Sequence, residues 1–185
     1  VHRQDNRYER LLDSGTGIEA IYCDNVCQTA EAFLRERRPG DPPFYLNLGF
    51  FEVHAPWNRP EYQGHCQPEN VVVPGFLPNI LLVREAMARF YGAIAHFDAC
   101  IGGVLDALDE TGLTEDTLVA FTTDHGISFP RAKETLYDPG IQTALILRWP
   151  GHIAAGTTQD ALISSIDLAP TLLEAIGQPI PAAIQ

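Results

Sequence analysis

The sequence predicts an α/β fold in which a sheet is sandwiched between helices. Three mostly apolar runs of strand length, at 44–50, 117–123 and 142–149, are typical of strands buried on both faces. Segments with helical periodicity alternate with these runs. Such an alternation builds a layered α/β domain, because each helix buries its apolar stripe against the sheet. With 185 residues, 45% of them hydrophobic, the chain has the size and composition of one domain with a core.

The first predicted helix covers residues 26–38. Asp24 and Asn25 precede it as candidate caps, and its apolar residues share one helical face: Val26, Ala30, Phe33 and Leu34. The segment RRPGDPP then breaks the helix. The run FYLNLGF (44–50) follows as the first predicted strand and leads into FEVHAPW.

An irregular loop and a long helix come next. Five prolines and little periodicity between Ala55 and Ile80 predict a loop, and long loops often cover a functional site. Beyond the loop, apolar residues repeat in steps of four and three as far as Gly112, which predicts one long amphipathic helix. The residues of this apolar face are Val83, Met87, Phe90, Ile94, Phe97, Ile101, Val104 and Leu108.

Two strands and a final helix complete the predicted domain. The runs TLVAFTT (117–123) and QTALILRW (142–149) are β-branched or apolar and have strand length. The segment IDLAPTLLEAIG predicts the last helix, with Asp167 as its cap, Pro170 in its first turn and Gly177 at its end.

Composition argues against two classes of partner. The net charge of −12 and the pI near 4.7 argue against nucleic acids and anionic membranes, which are bound by clustered Lys and Arg. No stretch reaches the roughly 20 apolar residues that span a bilayer, so we expect no membrane segment. We expect a soluble protein, and a bacterial cytoplasm and periplasm both stay open as its compartment.

The four cysteines predict no metal site of their own. They are too few for a disulfide scaffold at this length. The pair Cys23 and Cys27 has no second pair at the spacing of a zinc site. We therefore predict that these two thiols, Cys66 and Cys100 are buried or loosely placed.

Polar side chains follow two of the predicted strands. His54 comes soon after the first strand and Asp124 directly after the second, and ligands of open α/β sheets gather beyond the carboxyl ends of strands. Asp124 and His125 can share one divalent ion if a turn at Gly126 swings both inward. The alternative is a polar strand end, with Asp124 capping a turn and His125 exposed.

Lys133 and His54 are candidates for binding an anion and for proton transfer. Lys133 lies nine positions after Asp124, so the loop can fold back and place its ammonium beside an anion. Arg131 competes for this role, and a lone lysine can also simply face solvent. His54 can protonate a leaving oxygen, because imidazole titrates near neutrality. The alternative for His54 is a histidine packed in the core.

This ordered series of motifs resembles the sulfatase family of the alkaline-phosphatase superfamily, and within it the heparan N-sulfatase (N-sulfoglucosamine sulfohydrolase) branch. FYLNLGFFEVHAPW is similar to the family's strand that leads to an active-site His-x-Pro. FYGAIAHFDACIGGVLDALDETG is similar to its long helix, and TLVAFTTDHGISFPRAKETLYDPG to its metal loop. ALILRWPG and SSIDLAPTLLEAIG are similar to the strand and helix that close its catalytic domain.

The resemblance implies an alkaline-phosphatase-like fold and metal-dependent hydrolysis of a sulfate ester or sulfamate, on a sulfated sugar or an aryl sulfate. It makes Asp124 and His125 ligands of a divalent ion, usually calcium. Many relatives have Asn in place of His125, and imidazole suits manganese or zinc better, so these metals stay open, as does contact of His125 with the sulfate. Lys133 would bind sulfate oxygens and His54 would act on the leaving-group side, both stabilising developing charge.

One motif of the family does not occur in the sequence. Sulfatases attack sulfur with a formylglycine made from Cys or Ser in C/S-x-P-S-R, preceded by an Asp-Asp pair. CQPEN (66–70) supplies Cys-x-Pro, but Glu69 and Asn70 stand where Ser and Arg belong. We therefore interpret residues 1–185 as a middle-to-C-terminal portion of a single sulfatase catalytic domain, incomplete at its N-terminal side and inactive alone. The exposed edge of such a portion favours a homo-oligomer.

Two other functions stay open at the level of sequence. The first is a phosphodiesterase or phosphonate hydrolase of the same superfamily, because phosphate resembles sulfate in shape. The second is a non-catalytic remnant that binds a metal or a sulfated sugar without cleaving it.

Overall fold

The computed structural model describes Gly15 and residues 17–184. Within this part of the chain the three longer helices and the two strands lie in the predicted order, and their bounds shift by a few residues. The helices and strands are α1 (Cys23–Arg35), α2 (Leu81–Glu110), β1 (Val119–Thr122), α3 (Asp138–Ile141), β2 (Leu145–Arg148) and α4 (Leu168–Ala175). The short helix α3 was not predicted.

Helices α1 and α2 pack against each other and form the first hydrophobic core. The apolar stripe of α1 is buried, as its periodicity predicted, and Leu34 is 1% exposed. The stripe packs against Val104, Ala107 and Leu108 near the end of α2. Full burial of a side chain the size of leucine stabilises the fold by about 1.5–3 kcal/mol. The amphipathic pattern of the two helices therefore determines how they associate.

The run at 44–50 is not a strand of the described sheet, so that prediction is wrong. Alternate residues of this run are partly buried, and they pack against the α1–α2 core: Phe44, Leu46, Leu48 and Phe50. The intervening residues face outward, and Tyr45 is 69% exposed. The run therefore buries one face on the helices, whereas its apolar composition had predicted burial on both.

The described sheet has two strands, β1 and β2, which pair antiparallel with Val119 opposite Arg148 and Thr122 opposite Leu145. On β1, Val119 and Phe121 are partly buried, and the Phe121 ring lies 6.0 Å from the Phe97 ring of α2. The opposite face is open, because Ala120 and Thr122 of β1 are exposed and Leu145 of β2 is 36% exposed. In the described residues helices therefore cover one face of the sheet, not both as predicted. Self-association through exposed apolar surface stays a prediction.

The loop predicted between Ala55 and Ile80 packs closely on α2. It contains two short 3-10 turns, Pro60–Tyr62 and Pro68–Asn70. Tyr62 is only 3% exposed, and a second hydrophobic core joins the loop and the first half of α2 to Phe129. The members of this core that are buried are Val71, Leu77, Met87, Ala88, Phe90 and Phe129. The loop is thus irregular in its backbone but fixed in its position.

Among the described residues, no helix has both the length and the apolar composition needed to cross a membrane.

The contact between the loop and α2 can be tested with two glycines of the same helix. A Cβ atom at Gly92 would lie 1.8 Å from the carbonyl oxygen of Tyr62, whereas a Cβ at Gly102 would have no neighbour within 4 Å. We expect Gly92→Ala to lower the free energy of unfolding by about 1–3 kcal/mol, because backbone must move to admit the methyl group. Gly102→Ala is the matched control and should raise it by about 0.5–1 kcal/mol, because alanine favours the helix.

Urea denaturation of the two variants and the parent chain measures both effects. Equal stability of Gly92→Ala and Gly102→Ala would contradict the close packing of Tyr62 on α2.

Candidate active site

His54 and Lys133 meet in the structure, although 79 positions separate them in the sequence. The Nζ atom of Lys133 lies 3.0 Å from Nε2 of His54. His54 is exposed, so it is not a core histidine, and Lys133 is partly buried. The two residue types that sequence analysis selected for an anion site therefore form a pair at the surface.

The hydrogen bonds of His54 define its tautomer. Its Nδ1 faces the carbonyl oxygen of Ala55, which can only accept a hydrogen bond, so Nδ1 carries the proton. Its Nε2 faces the ammonium of Lys133, which can only donate. His54 is therefore a neutral imidazole. It accepts a hydrogen bond from Lys133 and thereby orients the ammonium group. Lys133 keeps two further N–H donors for a ligand.

Aromatic stacking holds the two loops of this pair together. Trp57 follows His54 by three residues, and its indole N–H donates to the Val53 carbonyl oxygen at 3.0 Å. The Trp57 ring stacks on Phe129, with ring centroids 4.9 Å apart and an interplanar angle of 17°. Phe129 is buried, precedes Lys133 by four residues and also packs edge-on against Phe90 of α2. The stack therefore positions both side chains of the site from beneath.

A buried carboxylate fixes the segment before His54. Glu52 accepts hydrogen bonds from the Cys23 backbone N–H at 2.9 Å and from the Tyr62 hydroxyl at 2.7 Å. Arg59 donates to it at 3.3 Å. Three donors offset the cost of burying this charge. Sequence analysis missed Glu52, since a glutamate beside apolar residues gives no sign that its partners lie on a helix and a distant turn.

Asp124 and His125 lie side by side at the end of β1. Nε2 of His125 is 3.5 Å from Oδ2 of Asp124, and the Asp124 side chain is 85% exposed. The Nδ1 atom of His125 donates to the Gly126 carbonyl oxygen at 2.7 Å, so Nε2 is the ring nitrogen that faces Asp124. One carboxylate and one imidazole nitrogen at this separation fit a shared cation as two of its ligands. A calcium ion takes 6–8 oxygen ligands, so these two residues make only part of a calcium site.

Gly126 is required at this turn by close packing. A Cβ atom there would lie 1.8 Å from the Pro139 carbonyl oxygen of α3. The Gly126 N–H donates to the Gly140 carbonyl oxygen at 2.9 Å, and the Lys133 N–H donates to the Ile127 carbonyl oxygen at 3.0 Å. The loop therefore folds back on itself, as predicted, and carries Lys133 to His54.

Arg131, the alternative to Lys133 as the anion-binding cation, lies against Tyr137 and not against His54. Its guanidinium lies 5.8 Å from the centroid of the Tyr137 ring. It lines a shallow surface depression that includes none of the four predicted site residues; the other lining residues are Phe76, Leu136, Tyr137, Asp138 and Pro139. Lys133 is also the only lysine among the 185 residues, a feature that composition could have revealed.

Comparison with known proteins identifies the family. The family model described as Sulfatase matches residues 3–178. Human N-sulphoglucosamine sulphohydrolase is 32% identical over 165 residues, which cover 77% of this chain and 33% of that protein. An ulvan-active sulfatase of Formosa agariphila is 42% identical over 106 residues, which cover 57% of this chain and 18% of that protein.

The fold agrees with this match. The solved structure of the sulfatase-family protein yidJ from Bacteroides fragilis superposes with a TM-score of 0.75 at 23% sequence identity, covering 88% of this chain and 39% of that one. The matched part of the chain spans about a third of the length of the human sulphohydrolase and less than a fifth of the length of the ulvan-active sulfatase. The match of the family model along nearly the whole sequence shows that the chain belongs to the sulfatase family.

Proposed function

We propose that the protein hydrolyses sulfate esters or sulfamates of sugars, and that this chain supplies Lys133 and His54 to the active site. The observation that carries the proposal is the 3.0 Å contact between these two side chains in a member of the sulfatase family. Two relatives support a sugar substrate by name, the N-sulphoglucosamine sulphohydrolase and the ulvan-active sulfatase.

Lys133 would bind the sulfate oxygens. The chain has a net charge of −12, so its average field repels an anion. The attraction must therefore be local, and the single lysine supplies it. Two N–H donors of Lys133 remain after its bond to His54, and their strength grows as negative charge builds on the oxygens in the transition state.

His54 and Lys133 would together protonate the leaving group. When the S–O or S–N bond breaks, the electron pair stays on the leaving oxygen or nitrogen, which must gain a proton. One proton is shared along the line from Nζ of Lys133 to Nε2 of His54, and we propose that this pair delivers it. In the sulfatase family the attacking oxygen would come from a formylglycine hydrate, and its motif C/S-x-P-S-R does not occur among the 185 residues.

Asp124 and His125 would hold a divalent ion beside the sulfate. Such an ion would polarise the sulfate oxygens and so favour attack on sulfur. Calcium is the ion that the family favours, and the imidazole of His125 makes manganese or zinc the alternative. Further ligands would have to come from other carboxylates, because two donors do not complete a site.

We expect the natural protein, produced with formylglycine-generating machinery, to cleave 4-nitrophenyl sulfate in preference to 4-nitrophenyl phosphate. Lys133→Ala should lower kcat by about 10²–10³, the usual cost of losing one transition-state donor. Arg131→Gln is the control, since it removes a cation of the same loop that does not touch His54. It should change kcat by less than about threefold, because salt screens a distant surface charge.

Three outcomes of this assay are informative. The 185-residue chain alone should show no turnover. Preferential cleavage of the phosphate would favour a phosphodiesterase instead. Full activity of Lys133→Ala would remove Lys133 from the mechanism.

Sulfate binding can be observed on the 185-residue chain without catalysis. Because Lys133 is its only lysine, labelling with ¹³C-lysine gives a single Cε signal in NMR spectra. Titration with sulfate should shift this signal saturably, and chloride at equal ionic strength should not. His54→Ala should weaken the sulfate effect, because the ammonium loses the partner that directs it. Equal shifts with both anions would mean that Lys133 has no site for sulfate.

Calorimetry on the same chain tests the metal ligands. We expect calcium or manganese to bind and Asp124→Asn to abolish the heat, because the carboxylate charge is lost. Asp160→Asn removes a carboxylate from a distant exposed loop and should leave the heat unchanged. Binding that survives Asp124→Asn would place the ion elsewhere.

A further inference from the structure

A second cluster of polar side chains lies where α1 and α2 meet. Cys23 and Asp24 are the first two residues of α1, and His96 and Cys100 lie one turn apart on α2. One ligand atom from each of the four lies within 4.8 Å of the other three. None of these residues takes part in the active site proposed above.

We propose that Cys23, Asp24, His96 and Cys100 bind a zinc ion. In a tetrahedral zinc site the ligand atoms lie about 3.3–3.8 Å from one another, as bond lengths of about 2.0–2.3 Å require. Nε2 of His96 lies 3.8 Å from Sγ of Cys100 and 2.9 Å from Oδ1 of Asp24. The four atoms lie within 4.8 Å of one another, so changes of about 1 Å in these separations bring them to zinc distances.

The types of ligand select the metal. Two thiols, an imidazole and a carboxylate supply two sulfur atoms, one nitrogen and one oxygen, a set that suits zinc and that calcium does not use. Four ligands from the protein complete a tetrahedron, which is typical of structural zinc. The site thus differs in chemistry from Asp124 and His125.

The surroundings of the cluster favour a bound cation with anionic ligands. Two thiolates and one carboxylate carry three negative charges, and zinc brings two positive charges. Arg59 offsets only part of the remaining charge, because it also contacts Glu52 at 3.3 Å and Glu61 at 3.4 Å. Its Nη2 lies 2.8 Å from Oδ2 of Asp24. This contact also orients Asp24 so that Oδ1 faces His96, in the way that outer hydrogen bonds orient metal ligands. With Glu52 and Glu61 beside Arg59, the surroundings of the cluster stay acidic, which favours a bound cation.

Zinc binding would replace protons at the two thiols. Burial raises the pKa of the Cys23 thiol, and it also raises the pKa of the Cys100 thiol. Both are therefore protonated at neutral pH without metal. On binding, each sulfur gives its proton to solvent and its electron pair to zinc, with no change of oxidation state. Nε2 of His96, which donates to Asp24 in the absence of metal, must also give up its proton, to Nδ1 or to solvent. The ion would then link the start of α1 to the middle of α2.

Cobalt substitution tests this site, because the absorption spectrum of bound Co²⁺ depends on its ligands, whereas Zn²⁺ has no such absorption. The full chain, reduced and free of metal, should bind one equivalent of Co²⁺ with an intense thiolate-to-cobalt charge-transfer band. Zinc should displace the cobalt and bleach the band, and excess calcium should not. Cys100→Ser should remove most of the band, and Asp24→Asn should weaken cobalt affinity by at least about tenfold.

Two control variants separate this site from other sources of colour. Cys66→Ser removes a thiol in the loop of residues 55–80 and should keep the full band. Asp124→Asn alters the proposed sulfatase metal site and should also keep it, so the two hypotheses fail independently. Circular dichroism verifies that each variant is folded, and His96→Gln repeats the test if Cys100→Ser does not fold. A missing band in the parent chain, or an unchanged band in Cys100→Ser and His96→Gln, would overturn the proposal.

Discussion

The stacking of Trp57 on Phe129 is the contact on which the candidate active site depends. It joins two loops that are far apart in the sequence, and Phe90 fixes the stacked pair to the long helix α2. His54 and Lys133 approach each other because each lies within a few residues of a stacked ring. Aromatic pairs contribute about 0.5–1.5 kcal/mol beyond the area they bury. A polar site at the surface thus takes its geometry from apolar packing beneath it.

Charge is distributed so that one cation stands out in an acidic chain. The only lysine lies against a neutral histidine, while Arg131 of the same loop turns to Tyr137. Arg59 is occupied by the carboxylates of Asp24 and Glu52. In water at physiological salt, charges act over about 8–10 Å. A sulfate at Lys133 would therefore experience this local ammonium more than the net negative charge of the chain.

The three longer helices were predicted correctly and the strands only in part, for one physical reason. Helical periodicity reports which residues share a face, so α1, α2 and most of their buried stripes could be located from the sequence. Ile94 is the exception, because it belongs to the predicted face of α2 and is 41% exposed. An apolar run reports only that side chains are buried. The run at 44–50 buries one face on α1 and α2 instead of entering the described sheet. The loop before α2 packs tightly because Gly92 admits the Tyr62 carbonyl, a contact that no local pattern encodes.

The sequence by itself determined the family, the order of the three longer helices and two strands, and the candidates His54, Asp124, His125 and Lys133, because motifs and periodicity are local properties of a chain. Only the tertiary structure decided which distant side chains meet. It placed Lys133 on His54 and turned Arg131 away. It also grouped Cys23 with Cys100 across two helices, whereas spacing along the chain had compared Cys23 with Cys27. Contacts between helices depend on how their faces pack, and sequence separation carries no information about that distance.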